Sequence, residues 1–144
     1  MKKNIIIIIC MVTLSLINVS HACAQSAPTL SSLIDKDWAL TAFGEKKEQG
    51  IHFTSSKKTY FFWIKGKREV YVDSDFYLCN KKETTFDTSK VGKSTEGKYI
   101  IALKKKPDGT ERIDIYEIVT LTDSEMTLIY YAGDKETKLS YTCK

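Results

Sequence analysis

From Trp38 onward, apolar side chains fall at every second position, and nowhere over a long window do they take helical spacing. Trp38, Leu40 and Ala42 share one parity, as do Ile51 and Phe53, then Tyr60, Phe62 and Ile64, then Val70 and Val72, and finally Leu139, Tyr141 and Cys143. Alternation of this kind is what a strand with one buried face imposes. Clusters of turn formers separate the runs: Ser55-Ser56-Lys57-Lys58, Gly66-Lys67-Arg68, Asp73-Ser74-Asp75, Pro107-Asp108-Gly109 and Ala132-Gly133-Asp134-Lys135. The fullest instance runs from Glu111 to Tyr131, a long hairpin turning at Thr122-Asp123-Ser124-Glu125. Within its first arm the apolar phase changes between Ile115 and Tyr116, which predicts a β-bulge there.

The pattern predicts an all-β fold, a small up-and-down antiparallel β-barrel of eight or nine short strands over residues 37–144. Closure removes the edges that an open sheet of this size would expose. Residues 25–36 read as a loose arm, with a short helical turn at Leu33-Ile34 closing one end. The longest polar stretch, Asn80 to Gly97, has Phe86 and Val91 as its only large apolar residues and reads as a lid or mobile loop near the barrel mouth.

The first 24 residues follow another rule. Lys2-Lys3, the apolar run Ile5–Ile17 and the small residues Ala22 and Ala24 make up a secretory signal peptide. The mature protein is then exported, periplasmic or secreted. In the alternative, Cys23 is lipidated and anchors the chain to a membrane. The apolar run is too short to span a bilayer, so no transmembrane span is expected in the mature chain.

Export also changes the charge. The full chain carries net +4, but loss of Lys2 and Lys3 leaves 20 basic and 18 acidic residues, near balance. No nucleic-acid footprint remains. Of four cysteines, Cys79 and Cys143 survive cleavage, and in an oxidising compartment they are expected to form a disulfide. It would close a 64-residue loop, worth roughly 4 kcal/mol by chain entropy.

Candidate chemistry is sparse. Gly92-Lys93-Ser94 lacks the earlier glycine of a phosphate-binding loop, since Asp87 stands there. His52 is the one histidine of the mature chain; it is out of phase with Ile51 and Phe53, so it should face solvent. With one histidine and two paired cysteines there is no metal-ligand set, and Asp73-Ser74-Asp75 lacks the rest of a calcium loop. The lysines at 57–58, 81–82 and 104–106 read as solvating charges. Nothing calls for catalysis or a cofactor.

The aromatic residues are what remain. Trp38, Phe53, Tyr60, Phe62, Tyr99, Tyr130 and Tyr141 are in phase with apolar neighbours and are expected to line the barrel interior as a ligand-binding surface. Phe61, Trp63, Tyr71 and Tyr77 fall on the other phase and would form an exposed patch.

The Trp38 strand, Phe76-Tyr77-Leu78 followed by Phe86-Asp87 and Ser89-Lys90-Val91-Gly92-Lys93, and the Tyr116-Glu117-Ile118 … Leu121-Thr122-Asp123-Ser124 … Leu128 hairpin together resemble the lipocalin-like domain proteins of Bacteroidota-type bacteria. The resemblance implies an exported calycin-type barrel. The expected function is non-catalytic binding of a small apolar or amphipathic ligand. The alternative is a protein-interaction module, such as an inhibitor of an envelope-directed hydrolase, that uses the aromatic patch.

Overall fold

The computed structural model describes residues 26–41 and 49–144, so the signal peptide and the Cys23 anchor lie outside the described residues. A four-residue helix, α1 (Leu30–Leu33), precedes eight strands: β1 (Asp37–Leu40), β2 (Gln49–Phe53), β3 (Lys57–Ile64), β4 (Lys67–Cys79), β5 (Tyr99–Lys105), β6 (Glu111–Leu121), β7 (Glu125–Ala132) and β8 (Lys135–Cys143). Each strand pairs antiparallel with the next, and β1 also pairs with β8, which closes an up-and-down barrel. The alternating pattern is therefore realised as a ring without edges.

One strand is longer than its sequence suggests. Asp73-Ser74-Asp75 is no turn; it continues β4, which runs unbroken for 13 residues. The outward carboxylates are held across the sheet, Asp73 by the Thr59 hydroxyl at 2.6 Å and Asp75 by Lys57 at 2.6 Å, while Ser74 turns inward and is buried. Cross-strand pairing gives these polar residues what a turn would otherwise supply.

One end of the barrel is packed solid. Trp38, Phe53, Phe76, Ile100 and Met126 are fully buried there, with Leu33 of α1 as the plug. The Trp38 indole N–H donates to the Leu33 carbonyl at 3.0 Å, tying plug to wall. Each such side chain contributes about 1.5–3 kcal/mol through burial. Gly50 lets β1 and β2 lie close, since a Cβ there would sit 2.5 Å from the Trp38 carbonyl oxygen and 2.9 Å from the Phe61 ring.

The 80–97 segment lies at this packed end, not at the mouth. It joins the end of β4 to the start of β5 and folds over the outer face, where Phe86 and Val91 cover Tyr77, Ile101 and Ile115. The Tyr77 hydroxyl pins it, donating to Glu83 at 2.7 Å and accepting from the Asp87 amide at 3.3 Å; Lys90 holds the same Glu83 at 2.7 Å. Its far end bonds to the N-terminal arm, with the Leu30 amide on the Thr95 carbonyl at 2.7 Å and the Gly97 amide on the Pro28 carbonyl at 2.9 Å.

This cover explains the phase change in β6. Ile113 and Ile115 belong to the outer cluster under the segment, whereas Tyr116 and Ile118 face the barrel core. The strand is buried on both faces, and its pairing with β5 runs from Glu111 to Tyr99–Glu117 without a shift. The β6 irregularity falls instead at Val119, between Ile118 and Thr120. A second sits on β4, where Tyr71 is the extra residue between the Tyr60–Val72 and Phe61–Val70 pairs.

The expected disulfide is absent. Cys79 and Cys143 are free, and they lie on β4 and β8, four strands apart in either direction around the ring. Cys79 packs into the outer cluster and Cys143 against the inner one beside Trp38. Opposite walls and opposite faces put the two well beyond the roughly 7 Å between Cα atoms that a bridge tolerates. Burial pushes the Cys79 thiol above its ordinary range.

Tyr77→Phe removes the hydroxyl that gathers Glu83 and Asp87. It is expected to lower stability by about 1–2 kcal/mol, and amide exchange should quicken across 83–91 while strand protection persists. Hydrogen-exchange mass spectrometry checks this; unchanged exchange in the segment counts against the tether.

Candidate functional site: a tyrosine-walled cavity at the open end

The other end of the barrel is hollow. A cavity of about 260 Å³ lies among Tyr60, Tyr71, Tyr116, Tyr130 and Tyr141, with Ile51, Val72, Leu40 and Leu139 between them. Strand parity sets most of these, because Tyr60 on β3, Tyr116 on β6, Tyr130 on β7 and Tyr141 on β8 all take the inward phase. Tyr71 arrives differently. As the extra residue at the β4 bulge it joins Val72 on the cavity side, packing edge-on to Tyr60 at 6.1 Å and Phe62 at 5.6 Å.

The residues expected to line the interior are divided. Tyr60, Tyr130 and Tyr141 border the cavity. Trp38 and Phe53 fill the packed end. Phe62 stands beside Tyr60 and Tyr71 without reaching the lining. Tyr99 is a correction: it faces outward into the cluster under the 80–97 segment, because β5 is covered on both sides and its inward residues are Ile100 and Ala102.

The outward aromatic patch is also broken up. Phe61 and Tyr77 are fully buried, the first under Arg68, whose guanidinium sits 4.3 Å from its ring, and the second under the loop segment. Trp63 is half-buried beneath the Lys144 ammonium at 3.7 Å, and Tyr71 alone of the four is exposed, at 65%, on the rim of the cavity. His52 lies on the outer face as expected, bonded through Nδ1 to Asp37 at 2.8 Å.

What parity also brings inside, and the lysine reading missed, is charge. Lys58, Ser74, Lys104 and Arg112 are register partners across β3, β4, β5 and β6, forming one inward row along the cavity wall. One carboxylate, Asp114, answers them, and it is already engaged. Arg112 holds it through Nε at 2.8 Å and a second nitrogen at 3.2 Å, and the Tyr130 hydroxyl donates to it at 3.0 Å. The signal was present in the sequence: Arg112 and Asp114 share parity with Tyr116 and Ile118.

Lys58 is the buried one of two cations in this row, Lys58 and Lys104, that meet no carboxylate among the described residues. It is 7% exposed, and among the described residues its ammonium has no hydrogen-bond or ion-pair partner; it lies 4.8 Å from the centre of the Tyr116 ring. Burial lowers its pKa to about 8, opposed by Asp114 and reinforced by Lys104 and Arg112. Burial pushes the Tyr60, Tyr116, Tyr130 and Tyr141 hydroxyls above their ordinary range, so they stay neutral donors. Tyr60 bonds to Gln49, whereas the Tyr116 and Tyr141 hydroxyls bond to no other described residue; since no buried side-chain polar atom there lacks a partner, both are open to the cavity. Among the described residues the cavity wall thus presents two cations without an ion-pair partner, Lys58 and Lys104, and two hydroxyls without a hydrogen-bond partner.

A larger groove, about 500 Å³, runs between the N-terminal arm and the end of β6, lined by Pro28, Thr29, Lys98 and Val119. None of these is a buried charge, so its size carries no chemistry. Among the described residues no helix is long and apolar enough to cross a membrane, and no cluster of metal-ligating side chains occurs.

Lysine is neutral above its pKa, and the unfolded chain holds the proton up to about 10.5, whereas the folded chain releases it near 8. Stability from this group therefore rises as pH climbs from about 8 to 10.5. Lys58→Met is expected to stabilise the protein at pH 7 by on the order of 1–3 kcal/mol, with the gain shrinking across that window. Urea melts of both proteins from pH 7 to 10.5 check this; a loss of stability in the variant at pH 7 contradicts it.

No family model, curated protein or solved structure matches this chain, so the cavity has to be understood from its own residues.

Proposed function

We propose that the protein is an exported, non-catalytic, lipocalin-like barrel that holds one small apolar or amphipathic molecule in the cavity at its open end. The carrying observation is that cavity of about 260 Å³, set in a fold whose other end is tightly packed. A chain that buries Trp38, Phe53 and Phe76 fully has not filled the space among its tyrosines. Tyrosine suits such a wall, since its ring offers apolar area and its hydroxyl a point of attachment. The Tyr116 and Tyr141 hydroxyls, open to the cavity and bonded to no other described residue, fit a guest that supplies acceptors.

The size suits a compact guest. Sites for drug-sized ligands begin near 300 Å³, so about 260 Å³ holds roughly a dozen non-hydrogen atoms. Export is supported by the basic, apolar and small-residue succession of the first 24 residues.

Native mass spectrometry of protein purified from the envelope fraction is expected to show one small molecule per chain. Leu139→Trp, which places an indole in the cavity, should abolish that occupancy while leaving thermal stability within about 1 kcal/mol. An empty wild-type barrel, or a variant as fully occupied as wild type, overturns the reading.

A further inference from the structure

Lys58 is an anomaly in a packed β-barrel. A buried ammonium without a partner is costly, and proteins normally pair it or expose it. Here it points into an open cavity from a cross-strand row that also carries Lys104 and Arg112. Directly opposed like charges, such as Lys104 and Arg112, destabilise a sheet. Asp114 neutralises Arg112 in a two-pronged contact and takes the Tyr130 hydroxyl besides, so it has little capacity left for Lys58. The wall carries three cations against one carboxylate; among the described residues Lys58 and Lys104 are left without an ion-pair partner, and Lys58 is the buried one of the two.

The rest of the lining narrows the guest. Tyr116 and Tyr130 stack at 5.0 Å, and Tyr60 and Tyr141 complete an aromatic enclosure too short for an extended chain. Flat rings meet such walls face-to-edge or offset, with a gain of about 0.5–1.5 kcal/mol per pair. The Tyr116 and Tyr141 hydroxyls, open to the cavity and bonded to no other described residue, are donors, as an anion requires.

Resting on the binding reading above, we infer that the cavity selects a compact organic anion, an aromatic carboxylate, whose carboxylate pairs with Lys58 and whose ring lies among the tyrosines. Lys58 is then retained because the guest completes it. Lys104 at the half-buried rim adds attraction for the incoming charge.

Isothermal titration with three probes of nearly equal shape tests this: indole-3-acetate, its alcohol tryptophol and its amine tryptamine, with inorganic phosphate as a fourth. Indole-3-acetate is expected to bind at least about tenfold more tightly than tryptophol, and tryptamine and phosphate more weakly still. In Lys58→Met the carboxylate should lose that advantage while tryptophol binds as before, which separates loss of charge from loss of fold. Equal binding of acid and alcohol, or an acid preference surviving in Lys58→Met, overturns the anion inference and leaves cavity binding standing. Phosphate matching the acid overturns the aromatic part. If no probe binds although an envelope-derived guest is seen by native mass spectrometry, the inference fails and the binding reading does not.

Discussion

Everything inside the ring depends on the pairing by which β1 meets β8, Trp38 with Cys143, Ala39 with Thr142 and Leu40 with Tyr141. β1 is the shortest strand, four residues against 13 for β4. It has little length with which to hold the barrel shut, so supports gather around it. The Lys144 amide bonds to the Asp37 carbonyl, the Thr41 amide to the Ser140 carbonyl, and the Trp38 indole to α1. Gly50 leaves room for the close approach of β1 to β2, and the Phe61 ring lies over the gap. Without this seam β1 and β8 would each present an open edge, and the ring would open.

Closure also fixes the positions of the inward charges. In a flat sheet Lys58 or Lys104 could turn to solvent by a local twist, but in a ring every second residue faces inward whatever its chemistry. The row Lys58–Ser74–Lys104–Arg112 is therefore committed to the interior by the same register that buries Phe53 and Phe76. The chain meets part of the resulting cost with Asp114 and Tyr130, and part by leaving space instead of packing apolar atoms against the cations. Emptiness at one end and solidity at the other follow from which residues share the inward phase on each side.

The fold was legible because alternation with short turns admits few other solutions. The all-β ring and the sequential order of its strands follow from it, with eight strands instead of nine because β4 runs through Asp73-Ser74-Asp75, and with the helical turn at Leu30–Leu33 instead of Leu33-Ile34. The misreadings share one physical cause: a single sequence shows periodicity, but it does not show what lies over the second face. Ile113 and Ile115 looked out of step with Tyr116 and Ile118, and a bulge was inferred. Both pairs are buried, one under the 80–97 segment and one in the core. Tyr99 misleads in the same way. The cysteine pairing failed for another reason, because counting thiols carries no information about which walls bear them.

The site was harder to see than the fold because its decisive residues look ordinary. A Lys-Lys pair after two serines reads as a turn, and Lys57 does face solvent, paired with Asp75. One residue on, the alternation carries Lys58 into the barrel, 7% exposed. Composition treats the two as equivalent, whereas register separates them by the full thickness of the sheet. Aromatic residues attract attention as binding surfaces, yet Trp38 and Phe53 serve the packed end, and the cavity takes its character from a lysine that hydropathy assigns to water. A polar residue inside a closed sheet is therefore the more informative mark of function, since packing gives no reason for it to be there.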